Sequence, residues 1–295
     1  MTNLFNLKHR YAFNFDTIWQ NSLVPVRTIL FDSIFSRFMR DFVWTKNNLN
    51  EIESLARLKV IDDSNNWYIY DIRTVSETQV NFEITLLNLM NVTSRSGGNS
   101  ISILSGSTKL NEQASSLGFM KIQKYLICSF QTKNINKPDI IVNNNIRKKL
   151  SSDGYNIFQL VTSNKDKSDI SHTFKYKHWK SLIAKFDKGF NEFVVEENGK
   201  LVSWFRIKSD SKVVKVEILA YSRLNRMLID SVLQMISDFE SKSIYILVSI
   251  KDIKEERLLS EYGMQVIGKY ELYVKWLAEF VHNRKKINSR VVTAS

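Results

Sequence analysis

One segment of this chain occurs twice, and this limits the possible folds more than any other feature. The first copy reads SISILSG from residue 100, then a polar helical stretch, then SLGFMKIQKYLICSF. The second copy reads SIYILVS from residue 243, then another polar helical stretch, then EYGMQVIGKYELYVKW. The pair Gly118-Phe119 corresponds to Gly263-Met264, 145 residues later in a chain of 295. A repeat of that length predicts two copies of one domain, since solenoids repeat every 20 to 50 residues or so.

Composition sets the general class of protein. Hydrophobic residues make up 43% of the chain, so each half can bury a core. No apolar run approaches the roughly 20 residues needed to span a membrane, and the first residues lack a secretion signal. The single cysteine, Cys128, fits a buried core thiol, and it excludes an internal disulfide. With four scattered histidines, a structural zinc site is not expected either. We therefore expect a cytoplasmic protein without a membrane span or a metal.

The net charge of +12, with a pI near 9.5, admits nucleic acid, a membrane surface or an anionic small ligand such as coenzyme A. The basic residues are scattered, and the densest clusters are Arg147-Lys148-Lys149 and Arg284-Lys285-Lys286. A composition rich in Asn and Lys gives such a charge without any anionic partner. Because no nucleic-acid motif accompanies the charge, binding to nucleic acid is kept only as a weaker alternative.

The pattern of apolar residues predicts the elements of the first half. Apolar side chains at helical spacing indicate a helix or helix pair over residues 23–46. The remaining predicted elements are two β-rich runs at 56–62 and 67–74 joined by a hairpin, a helix near 80–92, a strand at 100–105, a polar helix near 108–117 and a strand at 119–130. Residues 131–153, with Pro138 and a run of asparagines, resemble a linker.

The second half repeats this order more clearly. Asn198-Gly199 suits a two-residue type I′ turn inside the hairpin NEFVVEENGKLVSWFRIKSD. The other predicted elements are a first strand in NIFQLVT, a helix near 178–186, a strand in KVVKVEILAY, a helix at 223–239, a strand in SIYILVSI, a short helix closed by Gly263 and a long final strand. The predicted division is a domain at 1–132, a linker at 133–154, a domain at 155–279 and a basic tail at 280–295.

This order of elements resembles the GNAT superfamily of N-acetyltransferases. The resemblance rests on FVVEENGKLVSWFRI, on LLSEYGMQVIGKYELYVK, and on the echo of the latter in SSLGFMKIQKYLICS. It covers most of residues 155–277 and, more weakly, 20–130. It implies an α/β fold of the α+β type with a mixed sheet, present as two acyl-CoA N-acyltransferase domains in tandem. The implied activity is transfer of an acetyl or other acyl group from coenzyme A to an amine.

The resemblance also implies a cofactor site. Family members bind acetyl-CoA where the fourth and fifth strands separate, and a glycine-rich turn at the next helix N-terminus holds the pyrophosphate. The corresponding turn of the second half contains no glycine, and Leu224 adds bulk there. In the first half, the fourth strand leads into Val75-Ser76-Glu77-Thr78, which has an acidic residue and no glycine. An acyl-CoA site is therefore expected in the second half. Its residues would be Leu219, Tyr221, Arg223, Asn225, Arg226 and Met227, of which the arginines suit phosphate and Asn225 tolerates positive φ.

The catalytic residues implied by the resemblance are only partly present. Many members place a tyrosine acid four residues before the glycine of the Gly-hydrophobic pair, where this chain has Leu259 and Ala114. Some members use a glutamate on the fourth strand as a base. Glu217 lies on that strand, and Asp71 is placed equivalently in the first half. The alternative for Glu217 is an ion pair with a lysine on an exposed sheet face.

Three functions stay open on this evidence. The first is acyl transfer to a small-molecule or peptide amine of unknown identity. The second is a degenerate pair of domains that retains the fold as a binding or scaffold module, which the missing glycines and tyrosine favour. The third is a basic protein associated with nucleic acid. The interface between the two halves is a further candidate place for a pocket.

Overall fold

In a computed structural model, the structure describes residues 9–13, 41–48, 51–60, 65–75, 82–130, 145–163, 189–209, 213–237, 239 and 243–277. Within these residues the chain forms twelve strands and five α-helices. The strands are β1 (His9–Phe13), β2 (Asp41–Asn48), β3 (Glu51–Val60), β4 (Asn66–Thr74), β5 (Ser100–Ser105), β6 (Met120–Phe130), β7 (Ile146–Lys148), β8 (Asn191–Glu197), β9 (Lys200–Ser209), β10 (Val213–Tyr221), β11 (Ser243–Ile250) and β12 (Gln265–Trp276). The helices are α1 (Phe82–Arg95), α2 (Thr108–Ser116), α3 (Gly154–Ser163), α4 (Arg226–Ile236) and α5 (Ile253–Glu261). None of these helices is long and apolar enough to cross a membrane.

The strands form one mixed sheet in the order β2-β3-β4-β1-β5-β12-β6-β11-β10-β9-β8-β7. Two pairs are parallel, and the other pairs are antiparallel. The parallel pairs are β10 with β11 and β4 with β5, which pair directly with each other in addition to flanking β1. The repeat is visible when the order is read inward from its two ends. Apart from β1 and β7, the strands β2, β3, β4 and β5 on one side match β8, β9, β10 and β11 on the other. The β12–β6 pair lies between the two halves, and Tyr125 and Tyr270 stand opposite each other in it.

The two halves exchange their last strands. Strand β6 belongs to the first half in sequence, yet it pairs with β11, and β12 pairs with β5. Side chains follow the strands: Leu126 and Cys128 of β6 pack in the core beneath α4 and α5, and Tyr273 of β12 packs in the core beneath α1 and α2. The predicted equivalence of 100–105 with 243–249, and of 119–130 with 264–277, is confirmed, with each closing strand completing the other half.

The predicted turns are confirmed. Helices α2 and α5 each end at a glycine with positive φ, 80° at Gly118 and 72° at Gly263. In both, the glycine N–H and the following N–H donate to the carbonyls three and five residues back, as in a Schellman motif. This shared ending explains why the Gly-hydrophobic pair recurs in the sequence. The β8–β9 hairpin turns through Asn198 and Gly199, at φ of 51° and 72°.

Several sequence predictions are wrong in detail. The run NIFQLVT lies in helix α3, because a short apolar run does not distinguish a buried strand from a helix, and Ile157 and Leu160 face the core together. The first strand of the second half is instead β7, inside the predicted linker, where it pairs with β8. Residues 41–46 of the predicted helix lie in strand β2. Residues 23–40, the predicted helix near 178–186 and the tail fall outside the described residues.

Candidate functional site

The second half has an opening between its two parallel strands. Strands β10 and β11 stay in register from Val213 opposite Ser243 to Ile218 opposite Val248, and then the pairing stops. At the same point β10 carries a bulge, since Leu219 has no partner on β9. A bulge bends its strand and increases the local twist, so it helps to separate β10 from β11. Because β10 leads directly into α4, the opening lies beside the N-terminus of that helix.

Four side chains of the second half line and cross this opening. The Ser249 Oγ donates to the Leu219 carbonyl at 3.3 Å, and the hydroxyl of the buried Tyr221 donates to the Ser249 carbonyl. The same hydroxyl oxygen lies 2.8 Å from Oε2 of Glu255. The Lys251 ammonium donates to the Tyr221 carbonyl at 3.4 Å and to the Ser222 carbonyl at 2.9 Å. The carbonyls of Leu219 and Tyr221 therefore point toward β11 and the residues that follow it.

Burial changes the acidity of two of these groups. It raises the pKa of Tyr221 well above its usual value, and the charge of Glu255 raises it further. Tyr221 is therefore a protonated hydrogen-bond donor at neutral pH. Burial also lowers the pKa of Lys251, against the opposing effects of Glu255 and Asp252. Sequence reasoning missed Ser249, Lys251 and Glu255, because no motif distinguishes them from other residues at the end of a strand.

The turn into α4 is closed by its own residues. Asn225 caps the helix in an extended conformation at φ −132°, and its side chain accepts from the Leu228 N–H at 2.9 Å. Leu224 is buried, so the turn packs on the core through this side chain. Arg226 is exposed and donates to Glu261 at 2.9 Å. Arg223 is also exposed, and Met227, at the second position of α4, is half-buried.

Glu217 does not form the exposed ion pair that we weighed as its alternative role. Its side chain is 2% exposed, and its Oε2 lies 2.6 Å from Nε of Arg206, directly opposite on β9. The Arg206 guanidinium is as deeply buried and lies over the Phe190 ring at 4.6 Å. The alternative of a surface pair with lysine is wrong, because the carboxylate is buried and its partner is an arginine. This geometry favours a structural role over that of a general base.

Asp71 is not the equivalent of Glu217. In the first half, parallel pairing ends at Ile69 opposite Ile103, and the bulge on β4 falls at Tyr70. If the two bulges are equivalent, Tyr70 corresponds to Leu219, and Asp71 follows the bulge whereas Glu217 precedes it. The two carboxylates look equivalent in the sequence only because each lies on the predicted fourth strand of its half, and strand register cannot be read from that position alone.

The described residues of the first half form no comparable opening, because strand β1 lies between β4 and β5. Residues His9, Arg10 and Ala12 pair with β4, and Ala12 and Phe13 pair with β5. The sequence analysis did not predict this strand, since HRYAF shows no alternation of polar and apolar residues. The two halves therefore differ at the point where their parallel strands separate.

A cavity of about 620 Å³ lies between α2 and α5, over the β6–β12 pair. Equivalent residues of both copies line it, among them Lys124 with Lys269 and Asn111 with Glu256. Lys269 is already bound to Glu256 at 2.7 Å. The interface between the halves does hold a pocket, on the side of α5 away from α4.

No protein-family model matches the chain, and no curated protein matches it. Among solved structures, a protein assigned as an acetyltransferase from Pyrococcus horikoshii matches with a TM-score of 0.52 at 9% identity, over 92% of this chain and 89% of that one. A tandem GNAT protein from the clavulanic acid biosynthesis pathway matches with a TM-score of 0.47 at 7% identity, over 83% and 87%. A GCN5-related N-acetyltransferase from Sphaerobacter thermophilus matches with 0.47 at 11%, over 77% and 78%. The chain shares its fold with the Pyrococcus horikoshii protein, and within that fold the strand order β2-β3-β4-β5 recurs as β8-β9-β10-β11.

Proposed function

We propose that this protein binds acyl-CoA, either acetyl-CoA or another acyl-CoA, in its second half and transfers the acyl group to an amine. The observation that carries the proposal is the opening between β10 and β11, which begins at the Leu219 bulge and ends beside the N-terminus of α4. A helix N-terminus attracts phosphate through its dipole and unpaired N–H groups. The exposed Arg223 and Arg226 add charge there, and an arginine can form charge-assisted pairs with phosphate.

The opening offers groups that suit the arm and thioester of the cofactor. Backbone groups of Leu219 and Tyr221 face it, and N–H groups there would polarise the thioester carbonyl. Lys251 and Tyr221 bridge the opening in the free protein, so the cofactor would replace their contacts. The ammonium of Lys251 would then be available for a phosphate. Met227 would border the phosphates at the start of α4.

The proposed transfer depends on positioning more than on a protein base. Glu217 was our candidate for the base, but its carboxylate is held by Arg206 in the interior. The amine, whether a small molecule or a peptide, would enter unprotonated and attack the thioester carbonyl directly. The C–S bond would then break, and the coenzyme A thiolate would leave and take up the proton that the amine nitrogen loses. Holding two reactants in the correct geometry can alone supply much of a rate enhancement. The acceptor amine has to be found by experiment.

A second function, a binding module without catalysis, is favoured by the contents of the opening. Tyr221 spans it with a buried hydroxyl, and Asn225 and Leu224 close the turn that is rich in glycine in the family. On this reading the fold is retained to hold a ligand or a partner. The two functions differ in one measurable property, which is turnover of acyl-CoA with an amine.

The test is calorimetry with acetyl-CoA, followed by thermal unfolding with and without the cofactor. Free cofactor at about 100 times its dissociation constant stabilises the folded state by about 2.7 kcal/mol. Replacing Arg223 and Arg226 with Glu should weaken binding at least tenfold, because two attractive contacts become repulsive. The matched control changes two exposed cations of the first half, Arg95→Glu with Lys109→Glu, and should leave binding unchanged.

Each other outcome favours a different function. No response to millimolar acetyl-CoA would reject the proposal and favour the binding module. Binding without transfer to any of a panel of amines would also favour the module. Nucleic acid that copurifies with the protein and is lost at high salt would favour the third function, because phosphate contacts depend strongly on salt.

A further inference from the structure

The geometry points to strand β1 as a built-in ligand of the first half. We propose that the opening between β4 and β5 is a slot for a peptide strand, that the chain's own residues His9–Phe13 occupy it, and that the first half therefore takes no acyl-CoA. This goes beyond the proposed function, because it concerns the other half and a different class of ligand.

The backbone of β1 replaces the pairing that β4 and β5 lose. Direct pairing of β4 with β5 covers Asn66–Ile69 and Ser100–Ile103. Beyond it, β1 pairs antiparallel with Ile72–Thr74 on one side and with Leu104 and Ser105 on the other. The main chain of β1 thus bonds on both edges, and the buried N–H and C=O groups of the separated strands find partners. A cofactor arm cannot enter while this ladder is in place.

Side chains fix β1 in the slot at both ends. The Arg10 side chain, 8% exposed, lies 3.0 Å from the buried Asp71 carboxylate, and Tyr68 donates its hydroxyl to the Phe13 carbonyl at 2.9 Å. Tyr11 packs edge-on against Phe82, with ring centroids 4.8 Å apart. Phe13 packs edge-on against Tyr270, with centroids 5.3 Å apart. The contacts select an extended segment with an arginine followed by aromatic residues.

The second half shows the contrast. Its first described strand, β7, pairs with β8 at the outer edge of the sheet, and no main chain among the described residues fills the β10–β11 opening. Side chains of Tyr221, Ser249 and Lys251 bridge that opening, and a ligand can displace side chains more easily than a paired strand. The position of the first strand thus decides which half has room for a cofactor.

A cross-link tests the position of β1 without unfolding the protein. Ala12 and Ser105 stand opposite each other in the β1–β5 pair, so Ala12→Cys with Ser105→Cys should form a disulfide on mild oxidation. The single variant Ala12→Cys is the control, and Cys128 is buried. The oxidised double variant should bind acetyl-CoA with the same stoichiometry as the wild type, one per chain. Failure to cross-link, two cofactors per wild-type chain, or loss of binding on oxidation would each overturn the proposal.

A second experiment tests whether β1 behaves as a ligand. Arg10→Glu places a carboxylate against Asp71 and should speed hydrogen exchange at Ile72 and Leu104 at least tenfold. A synthetic peptide of residues 7–15 should then restore the slow exchange. The milder variant Arg10→Ala is run in parallel. Unchanged exchange, no effect of the peptide, or equally faster exchange along β10 and β11 in both variants would refute a separable strand ligand.

The two experiments separate this inference from the proposed function. A chain that cross-links and captures the peptide but binds no acetyl-CoA rejects the proposed function and supports the strand slot. A chain that binds two acetyl-CoA molecules supports the cofactor and rejects the slot.

Discussion

The buried pair of Glu217 and Arg206 gives a prediction that separates stability from catalysis. Both side chains are 2% exposed, and their charged atoms lie 2.6 Å apart. Removing one partner of a buried pair leaves the other charge without compensation, which typically costs 3–5 kcal/mol or so. Glu217→Gln keeps an acceptor for the guanidinium, so we expect a loss near the lower end, about 3 kcal/mol. The measurement is urea unfolding followed by tryptophan fluorescence, since Trp204 lies beside Arg206 with its ring centroid at 6.0 Å.

The double variant makes this prediction sharper. Glu217→Met with Arg206→Met removes both charges together, and apolar replacement of a buried pair is often neutral or stabilising. We therefore expect the double variant to be more stable than Glu217→Met alone and than Arg206→Met alone. If the loss in free energy of unfolding of the double variant equals the sum of the losses of the two single variants, the pair contributes through packing rather than charge.

The single variant Glu217→Gln also tests the chemistry once an acceptor amine is known. A structural Glu217 predicts that folded Glu217→Gln keeps the wild-type dependence of rate on pH. A general base typically contributes about 10² to 10⁴-fold. A loss of that size at neutral pH in a fully folded variant, with recovery at high pH where the amine is free, would refute our structural assignment.

Three further predictions concern stability. Gly263→Ala should destabilise the fold by about 1 kcal/mol in denaturant unfolding, because φ is 72° at this residue and alanine is strained there. Among the described residues other than its chain neighbours, no atom lies within 4 Å of the added Cβ, so a steric clash does not contribute. An unchanged stability would show that the backbone after α5 adjusts to the alanine. Asp153 accepts two hydrogen bonds from Arg147, at 2.7 and 2.9 Å, and these lower its pKa. Its contribution is present at neutral pH and lost as pH falls below about 4, so Asp153→Asn should flatten stability in acid; an unchanged acid slope contradicts this. Fragments 1–144 and 145–295 should each fail to unfold cooperatively alone and should regain cooperative unfolding when mixed, as followed by circular dichroism; a fragment that folds alone would contradict the strand exchange.

Much of the fold is visible in the sequence, because local signals agree with the final structure. The type I′ turn at Asn198-Gly199 and the helix ends at Gly118 and Gly263 require positive φ, which few residues adopt. Strands and helices between these points follow their apolar patterns. The prediction of a strand for NIFQLVT is wrong, because these residues lie in helix α3. A run of seven residues fits either a strand or a helix, and tertiary contacts decide between them.

The strand exchange and the site were much harder to predict. Both closing strands carry similar sequences, so a sequence cannot show whether β6 pairs with β5 or with β11. The sequence points to Leu219 and Tyr221 but not to Lys251 and Glu255, because these two residues reach the opening from the end of another strand. Burial of Glu217 opposite Arg206 depends on strand register, which a one-residue bulge changes without a signal in the sequence.

The exchange also explains why a half without a cofactor opening would be retained. Strand β11 forms one wall of the proposed cofactor opening, and on its other edge it pairs with β6 from Ile244 opposite Phe130 to Ile250 opposite Lys124. Without β6, this wall would be an exposed edge strand with unpaired N–H and C=O groups, a configuration that proteins avoid. The first half therefore supports the opening of the second through β6, and its own slot can be closed by β1 without loss of that support. Substitutions in β6 should therefore weaken binding at the proposed cofactor opening directly. Substitutions that weaken the pairing of β1 should affect this binding only if they also destabilise β6.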